Sequence, residues 1–324
     1  MNYKLKQLRD ALLIVLLALG LFACKPKIEE GQLPASEIPA AGSLQIFALD
    51  VGQGDSLLII SPQGKSVLID AGAVEAGDDV VNALRNHGVN QLDLVVATHP
   101  HADHIGGMKR LLDNVPVKKF LDSGQTYSTV TYEKMLQEIK DKKIAFIKAV
   151  RGQNIELDSG VKFEVLNPGK ELFKEGNIGS GRSVQNANSV VLRLSYGTFA
   201  MLFTGDAEFE TEAQMMTAGL NLSADILKIG HHGSRHATSG KFLTAVNPKV
   251  AIISAGATND YGHPAQLTLD NLKKASIKTF RTDLNGEVAI TSDGKQYDVK
   301  PARQANPNEL WIGRQPAHEL AANP

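Results

Sequence analysis

Thr98-His99-Pro100-His101-Ala102-Asp103-His104-Ile105-Gly106-Gly107 puts three imidazoles and a carboxylate within six residues. It follows directly on Leu92–Thr98, an apolar run that reads as a buried strand. Side chains of an extended chain repeat every second residue, so His99 and His101 point the same way. Asp103 and His104 come after the chain bends toward a helix predicted over Ile105–Leu112, and so serve a neighbouring position. Gly106 and Gly107 let the backbone turn with no side chain over the site. The pattern suits two adjacent metal ions, one held mainly by His99 and His101, the other by Asp103 and His104. A histidine-rich surface loop is the bland alternative.

Other strand ends carry matching chemistry. Phe203-Thr204-Gly205-Asp206 closes an apolar strand, where a carboxylate is costly unless something pairs with it. With two oxygens, Asp206 can bridge two metals; the alternative is a cap for the helix predicted over Glu208–Ala218. His231-His232-Gly233-Ser234 follows the predicted strand Asp225–Ile229. Here His231 reads as a ligand and His232 as a residue that orients it or meets substrate. His263, in Tyr261-Gly262-His263-Pro264, is a candidate to donate to a leaving group, contact substrate or cap a helix. Asp103 and His263 are thus the expected catalytic pair, with Asp103 doubling as a ligand.

Asp55 and Asp70 lie in turn-rich strand ends and can orient metal-bound histidines through their free ring nitrogens. A simple turn role accounts for them equally well. Gly176–Asn188 is rich in Gly, Ser and Asn and reads as a mobile loop bordering the site. Arg182 within it, and Arg235, are candidate anion contacts. His87 and His318 read as surface residues.

The 324 residues are 43% hydrophobic and 21% charged, which suffices for a full core and excludes a disordered or collagen-like chain. Thirty-four bases against 35 acids leave a net charge of −1, without the broad basic footprint that dominates nucleic-acid binders. The single cysteine excludes a disulfide framework and any multi-cysteine zinc site. Lys4, Lys6 and Arg9 precede an apolar run from Ala11 to Ala23 that stops at Cys24. This is the pattern of a secretory signal, too short to span a bilayer comfortably. Leu21-Phe22-Ala23-Cys24 resembles a bacterial lipobox, in which the cysteine is lipidated; an uncleaved membrane anchor is the alternative. Either places the body outside the cytoplasm, anchored to a bacterial membrane. Without residues 1–23, which hold three bases and one acid, the net charge becomes −3.

The expected organisation is a signal peptide over 1–23, a flexible tether over 24–43, one domain over 44–300 and an irregular tail over 301–324. Within the domain, short β-branched runs alternate with amphipathic helices such as Asp78–His87 and Tyr132–Lys142. Strands in runs with helices able to cover their outer faces predict two packed sheets with helices outside, an α/β (α+β) chain.

The order His-x-His-x-Asp-His, then Gly-Asp, then a strand-end His-His resembles the metallo-β-lactamase superfamily across residues 44 to 300. Asp50-Val51-Gly52-Gln53-Gly54-Asp55-Ser56, Leu227-Lys228-Ile229-Gly230-His231-His232-Gly233-Ser234 and Tyr261-Gly262-His263-Pro264 resemble the C-terminal domain of ComEC-type DNA-uptake proteins. So does Asn188-Ser189-Val190-Val191-Leu192 running into Thr204-Gly205-Asp206. The resemblance implies a four-layer αβ/βα sandwich with a dinuclear site at the sheet edges. One histidine that many superfamily members carry is missing: Ser183–Ser189 offers only Gln185, Asn186 and Asn188, so Asn188 or water would complete that metal. The channel of ComEC proteins has no counterpart in this chain, so a role in competence does not simply carry over.

Two divalent ions, zinc or manganese with iron also admitted by the donors, would activate a hydroxide at neutral pH. The expected function is an exported metal-dependent hydrolase of phosphoester bonds, nuclease-like, acting on DNA or a small phosphoester. A hydrolase of a small envelope ester, lactone or phosphorylcholine-type substrate is the second reading, and a non-catalytic metal-binding lipoprotein the third. No protein partner is expected.

Overall fold

The computed structural model describes residues 42–158 and 160–317. The expected signal peptide, Cys24, nearly all of the tether and His318 lie outside the described residues. Among the described residues, no helix is long and apolar enough to cross a membrane.

Alternation along the strands builds the layers. In β1 (Leu44–Ala48), Leu44, Ile46 and Ala48 join one apolar cluster while Phe47 faces another. The same split divides β4 (Leu94–Ala97), with Leu94 and Val96 on one side and Val95 and Ala97 on the other. Strands covered on both faces are apolar throughout, which is why these segments read as continuous hydrophobic runs. With β2 (Leu57–Ile60), β3 (Ser66–Ile69), β5 (Lys119–Asp122), β6 (Ala145–Lys148), β14 (Val288–Ser292) and β15 (Tyr297–Pro301), they form one sheet in the order β15-β14-β1-β2-β3-β4-β5-β6.

The second sheet has the order β13-β12-β11-β10-β9-β8-β7. Its members are β7 (Asn154–Asp158), β8 (Val161–Asn167), β9 (Val191–Tyr196), β10 (Phe199–Phe203), β11 (Ile226–Lys228), β12 (Val250–Ile253) and β13 (Lys278–Arg281). Phe163, Met201 and Phe203 of this sheet share a core with Ile46, Val96 and Ile290 of the first. On the outer face of the first sheet, Leu58, Leu68 and Val95 pack on α1 (Gly77–Asn86), α3 (Met108–Asn114) and α4 (Val130–Asp141) through Val80, Leu111 and Met135. After the short α5 (Val184–Ala187), on the outer face of the second, Leu202 and Leu227 pack with Met215, Phe242 and Leu269 of α6 (Phe209–Thr217), α7 (Gly240–Val246) and α8 (Gln266–Lys274). Helix, sheet, sheet and helix give the four-layer sandwich.

Three features depart from the sequence reading. The helix expected over Ile105–Leu112 is two helices, α2 (Ala102–Ile105) and α3, broken at Gly106-Gly107. A Cβ on Gly107 would collide with the Ala71 carbonyl oxygen, so the chain passes here only without a side chain. β7 and β13 are additional strands. The first is an edge strand without strong apolar character, and the second ends in Arg281, which is fully buried and paired with Asp283. Lastly, residues 307–317 of the expected irregular tail are tied down. Arg281 donates to the carbonyls of Leu310 (3.1 Å) and Ile312 (2.7 Å), and Arg314 pairs with Asp283 (2.5 Å).

In each sheet the parallel strands (β3 to β6, β10 to β13) send their C-terminal ends to one edge. That edge is where open α/β sheets hold ligands. Farther along the same edge, Asp122 ends β5 with Oδ1 accepting from the Gly124 N–H (2.6 Å) and Tyr132 hydroxyl (3.4 Å), while Oδ2 is buried without a partner. Burial pushes this carboxyl up to about 6 against those two hydrogen bonds. Its folded pKa exceeds its unfolded one, so the cost is absent at low pH and complete above pH 6. Asp122→Asn should therefore stabilise by about 3 kcal/mol at pH 8 and about 1 kcal/mol at pH 4.5. Urea unfolding at both pH values checks this, and a gain that does not grow with pH would refute it.

Candidate metal centre

The strand ends deliver their side chains to one point. After β4 come Thr98 and His99; after β10, Asp206; after β11, His231 and His232. The sheets are latched together there by Val190 N donating to Thr98 O (2.8 Å), and within the second sheet His231 N donates to Gly205 O (3.1 Å). Asp70, His231 and His232 all have left-handed backbone, with φ of 59°, 47° and 52°. Such non-glycine conformations persist only where the surroundings over-determine them, and they gather at functional sites.

One group consists of Asp103, His104, Asp206 and His232, whose ligand atoms lie within 4.8 Å of one another. His104 Nε2 and His232 Nε2 are 3.2 Å apart, and lie 3.3 Å and 3.5 Å from Asp206 Oδ1. Asp103 Oδ2 is 3.3 Å from His232 Nε2. The outer ring nitrogens are already committed: His104 Nδ1 to Asp70 Oδ2 (2.7 Å) and His232 Nδ1 to the Ser254 carbonyl (3.0 Å). Each acceptor calls for an N–H at Nδ1, so in the neutral rings both Nε2 atoms present lone pairs. These converge with carboxylate oxygens of Asp103 and Asp206, and Asp206 Oδ1 is buried with no hydrogen-bond partner. In that neutral state four acceptors converge with no proton among them, an arrangement that fits a cation in place of the ring protons.

A second group is His99, His101 and Asp206. His99 Nε2 lies 3.0 Å from His101 Nδ1 and 3.6 Å from Asp206 Oδ2. Asp206 thus turns one oxygen to each group. Its role as helix cap falls away, because α6 starts at Phe209 with Glu208 at the cap position. All donors are imidazole nitrogen or carboxylate oxygen, a set suited to two divalent ions that does not select one metal. A third cluster, Asp55, Asp70 and His104, is already neutralised: Lys228 Nζ sits 2.8 Å from Asp55 Oδ2, and Asp70 also binds Thr98 Oγ1 (2.6 Å).

The charges agree with this division. Burial alone would lower His104 and His232, but Asp206 with Asp70 and Asp103 holds His104 well above the usual imidazole range. His232 is raised to about 10 by Asp206, Asp103 and Asp55, again against burial. In return, the histidines hold Asp103 and Asp206 below the ordinary carboxylate range despite burial. His99 goes the other way, lowered by burial and by the positive charge at His104. His101 is lowered as well, chiefly by burial. The first group therefore demands positive charge, while the second holds free imidazole nitrogens at neutral pH.

Two positions differ from the sequence reading. His232, not His231, belongs to the ligand group. His231 turns to Glu208 (Nδ1 to Oε1 2.9 Å) and faces the cavity, its nearest Asp206 oxygen 3.7 Å away. Two successive left-handed residues send these neighbouring rings in different directions, which no spacing rule anticipates. Asn188 does not reach the metal groups: it accepts from Phe173 N (2.8 Å) and donates to the carbonyls of Phe173 and Val184. Asn186 takes the place facing the site, its Nδ2 3.3 Å from His231 and its Oδ1 buried without a partner. Ser183 Oγ lies 3.4 Å from His101 Nε2.

A cavity of about 1050 Å³ opens over the centre, lined by His101, Asp103, Asp206, His231 and His232, and also by Arg235, His236, Tyr261, His263 and residues 312–316. Arg235 is exposed there. Arg182 is spent on Glu210 (3.0 Å) and is not among the lining residues. Burial, with His231 and His232 beside it, pushes His263 down to about 3, a neutral ring at pH 7. Glu208, His236 and the wall from residues 312–316 were missed in the sequence, and Asn186, named there among the available donors, was passed over for Asn188. Only the histidine spacing in His231-His232-Gly233-Ser234-Arg235-His236 carried a signal for any of them.

Comparison with known proteins places this centre in context. The family described as the metallo-beta-lactamase superfamily matches residues 49–257. ComE operon protein 3 of Bacillus subtilis (strain 168) is 33% identical over 261 residues, covering 75% of this chain and 32% of that protein. Competence protein ComA of Neisseria gonorrhoeae is 32% identical over 239 residues, covering 73% and 30%. These relatives are ComEC-type competence proteins, and the chain spans about a third of their length. Among solved structures, CmlA, a diiron beta-hydroxylase from Streptomyces venezuelae, aligns with a TM-score of 0.47 at 14% identity, over 76% of this chain and 53% of that one.

The Asp70–His104 contact makes a prediction. Asp70→Asn should weaken binding of manganese or zinc about 10- to 100-fold, measured by competition with a chromogenic chelator. Unchanged affinity would remove Asp70 from the site's support.

Proposed function

The chain belongs to the metallo-β-lactamase superfamily, and on that premise we propose that it is a metal-dependent hydrolase of phosphodiester bonds, nuclease-like in its substrate. The observation that carries the reading is Asp206, a buried carboxylate with one oxygen toward His104 and His232 and the other toward His99. His99, His101 and Asp206 would hold one ion; Asp103, His104, His232 and Asp206 the other. Divalent ions there would supply Lewis acidity, able to make water nucleophilic near neutral pH and to stabilise negative charge on phosphorus-bound oxygens.

The chain's own residues do the rest. Asp70 and the Ser254 carbonyl hold the Nδ1 protons of His104 and His232, which fixes both rings with Nε2 inward. Glu208 orients His231 on the cavity wall, and this pair is the group placed to hand a proton to a departing alkoxide. His263, a neutral ring at pH 7, is less suited to that step than the sequence suggested. Exposed Arg235 supplies a cation for the substrate's phosphate. The likeness to a protein named for competence supports DNA as the polymer to test first.

The same proposal keeps the chain outside the cytoplasm, exported by residues 1–23 and held to the membrane through lipid on Cys24. Cys24→Ser should move the protein from the membrane fraction to the soluble one, and a Cys24→Ser chain that still sediments with membranes would overturn lipid anchoring.

Activity is tested on the full chain in detergent, supplied with manganese or zinc, using bis-p-nitrophenyl phosphate and single- and double-stranded DNA. His101→Ala should lower kcat/KM by about 100-fold or more, because several kcal/mol of charge stabilisation depend on the ion it helps hold. No metal-dependent cleavage of any of these substrates by the wild type would sink the reading.

A further inference from the structure

Tyr261 stands out on the cavity wall. Its side chain is 64% exposed, one of few large apolar side chains so placed among the described residues, and it borders the cavity over the metal centre. Ile312, 59% exposed, lines the same cavity. An exposed aromatic is ordinarily mobile, yet this one sits on a rigid mount. Asn259 ties its loop four times: Nδ2 donates to the carbonyls of Gly256 (3.1 Å) and His263 (2.7 Å), and Oδ1 accepts from the N–H groups of Tyr261 (3.1 Å) and His263 (3.0 Å).

The C-terminal segment braces that loop from outside. Arg314 N donates to Pro264 O and Ala317 N to Asn259 O, each at 3.0 Å, and the Pro316 ring packs against Gly262. Behind it, the buried Arg281–Asp283 pair grips residues 310–314. The Tyr261 ring lies nearly parallel to His263, with centroids 5.7 Å apart and an interplanar angle of 21°. His263 in turn stands 6.4 Å from His232, so Tyr261 is two ring steps from the metal-binding group.

We propose that Tyr261 is a stacking platform for a planar ring of the substrate, so that the site takes phosphodiesters bearing an unpaired nucleobase beside the bond that is cut. This rests on the phosphodiesterase reading above. A fixed, exposed aromatic and an exposed cation, Arg235, lining one cavity of about 1050 Å³ are the combination by which single strands are held without sequence preference. Bases in a duplex are already stacked on each other and offer the ring no free face. Tyr261 therefore acts as a specificity-determining residue.

The test uses the full chain in detergent with manganese bound, and reads equilibrium binding by calorimetry. Thymidine 5′-monophosphate is compared with deoxyribose 5-phosphate, which lacks the base. In the wild type the nucleotide should bind more tightly. Tyr261→Ala should lower the ratio of the two affinities about 5- to 100-fold, while Tyr261→Phe and Tyr261→Trp keep it. Equal affinity of the two ligands for the wild type, or a ratio that moves less than about twofold in Tyr261→Ala, would overturn the proposal. If the wild type still cleaves bis-p-nitrophenyl phosphate in either case, only the stacking role falls. If it neither cleaves that ester nor binds either phosphate, the phosphodiesterase reading falls and takes this one with it.

Discussion

A carboxylate with 1% of its surface exposed is the constraint on which this structure turns. Asp206 has lost its hydration, and such a charge survives burial only with strong compensation. Its compensation comes from imidazoles on two sides, which themselves are fixed by further partners: Asp70 behind His104, a backbone carbonyl behind His232, Thr98 beside His99. Each partner is buried or part of the backbone. The cluster is therefore rigid before anything binds, and its converging lone pairs are what a cation would satisfy.

The centre straddles the sandwich. Asp70, His99 and His104 belong to the first sheet's strand ends, Asp206 and His232 to the second's. Their spacing follows from the core between the sheets, where Phe163 and Phe203 meet Val96 and Ile46. The buried pair of Lys228 and Asp55 crosses the same boundary at 2.8 Å. Losing either partner would leave an uncompensated buried charge, so the two layers are held to an arrangement that keeps this contact. Packing in the middle of the molecule thus positions chemistry at its edge.

Much of this was legible in the chain. The ligand segment His99–His104 reads directly, because its residues are adjacent and their side chains follow from local geometry. The layers read from apolar runs too continuous for a sheet with one wet face. Failures share a cause: they are places where a residue's environment is made by distant segments. Arg281 looks like a surface residue until Asp283 and the carbonyls of residues 310–312 surround it. Asn188 and Asn186 are two positions apart and chemically identical, and only a short helical turn over Val184–Ala187 decides which faces the centre.

The sequence by itself determined the donor types, their order along the chain and their attachment to strand ends, because those depend on composition and on two- and four-residue periodicities. Tertiary structure alone decided that His232 rather than His231 joins the ligand group, that Asp206 faces two ways, and that residues 312–316 wall the cavity. These are outcomes of left-handed backbone at successive residues and of contacts between segments far apart in sequence. No local period encodes them, since their energies arise only when the two sheets close on one another.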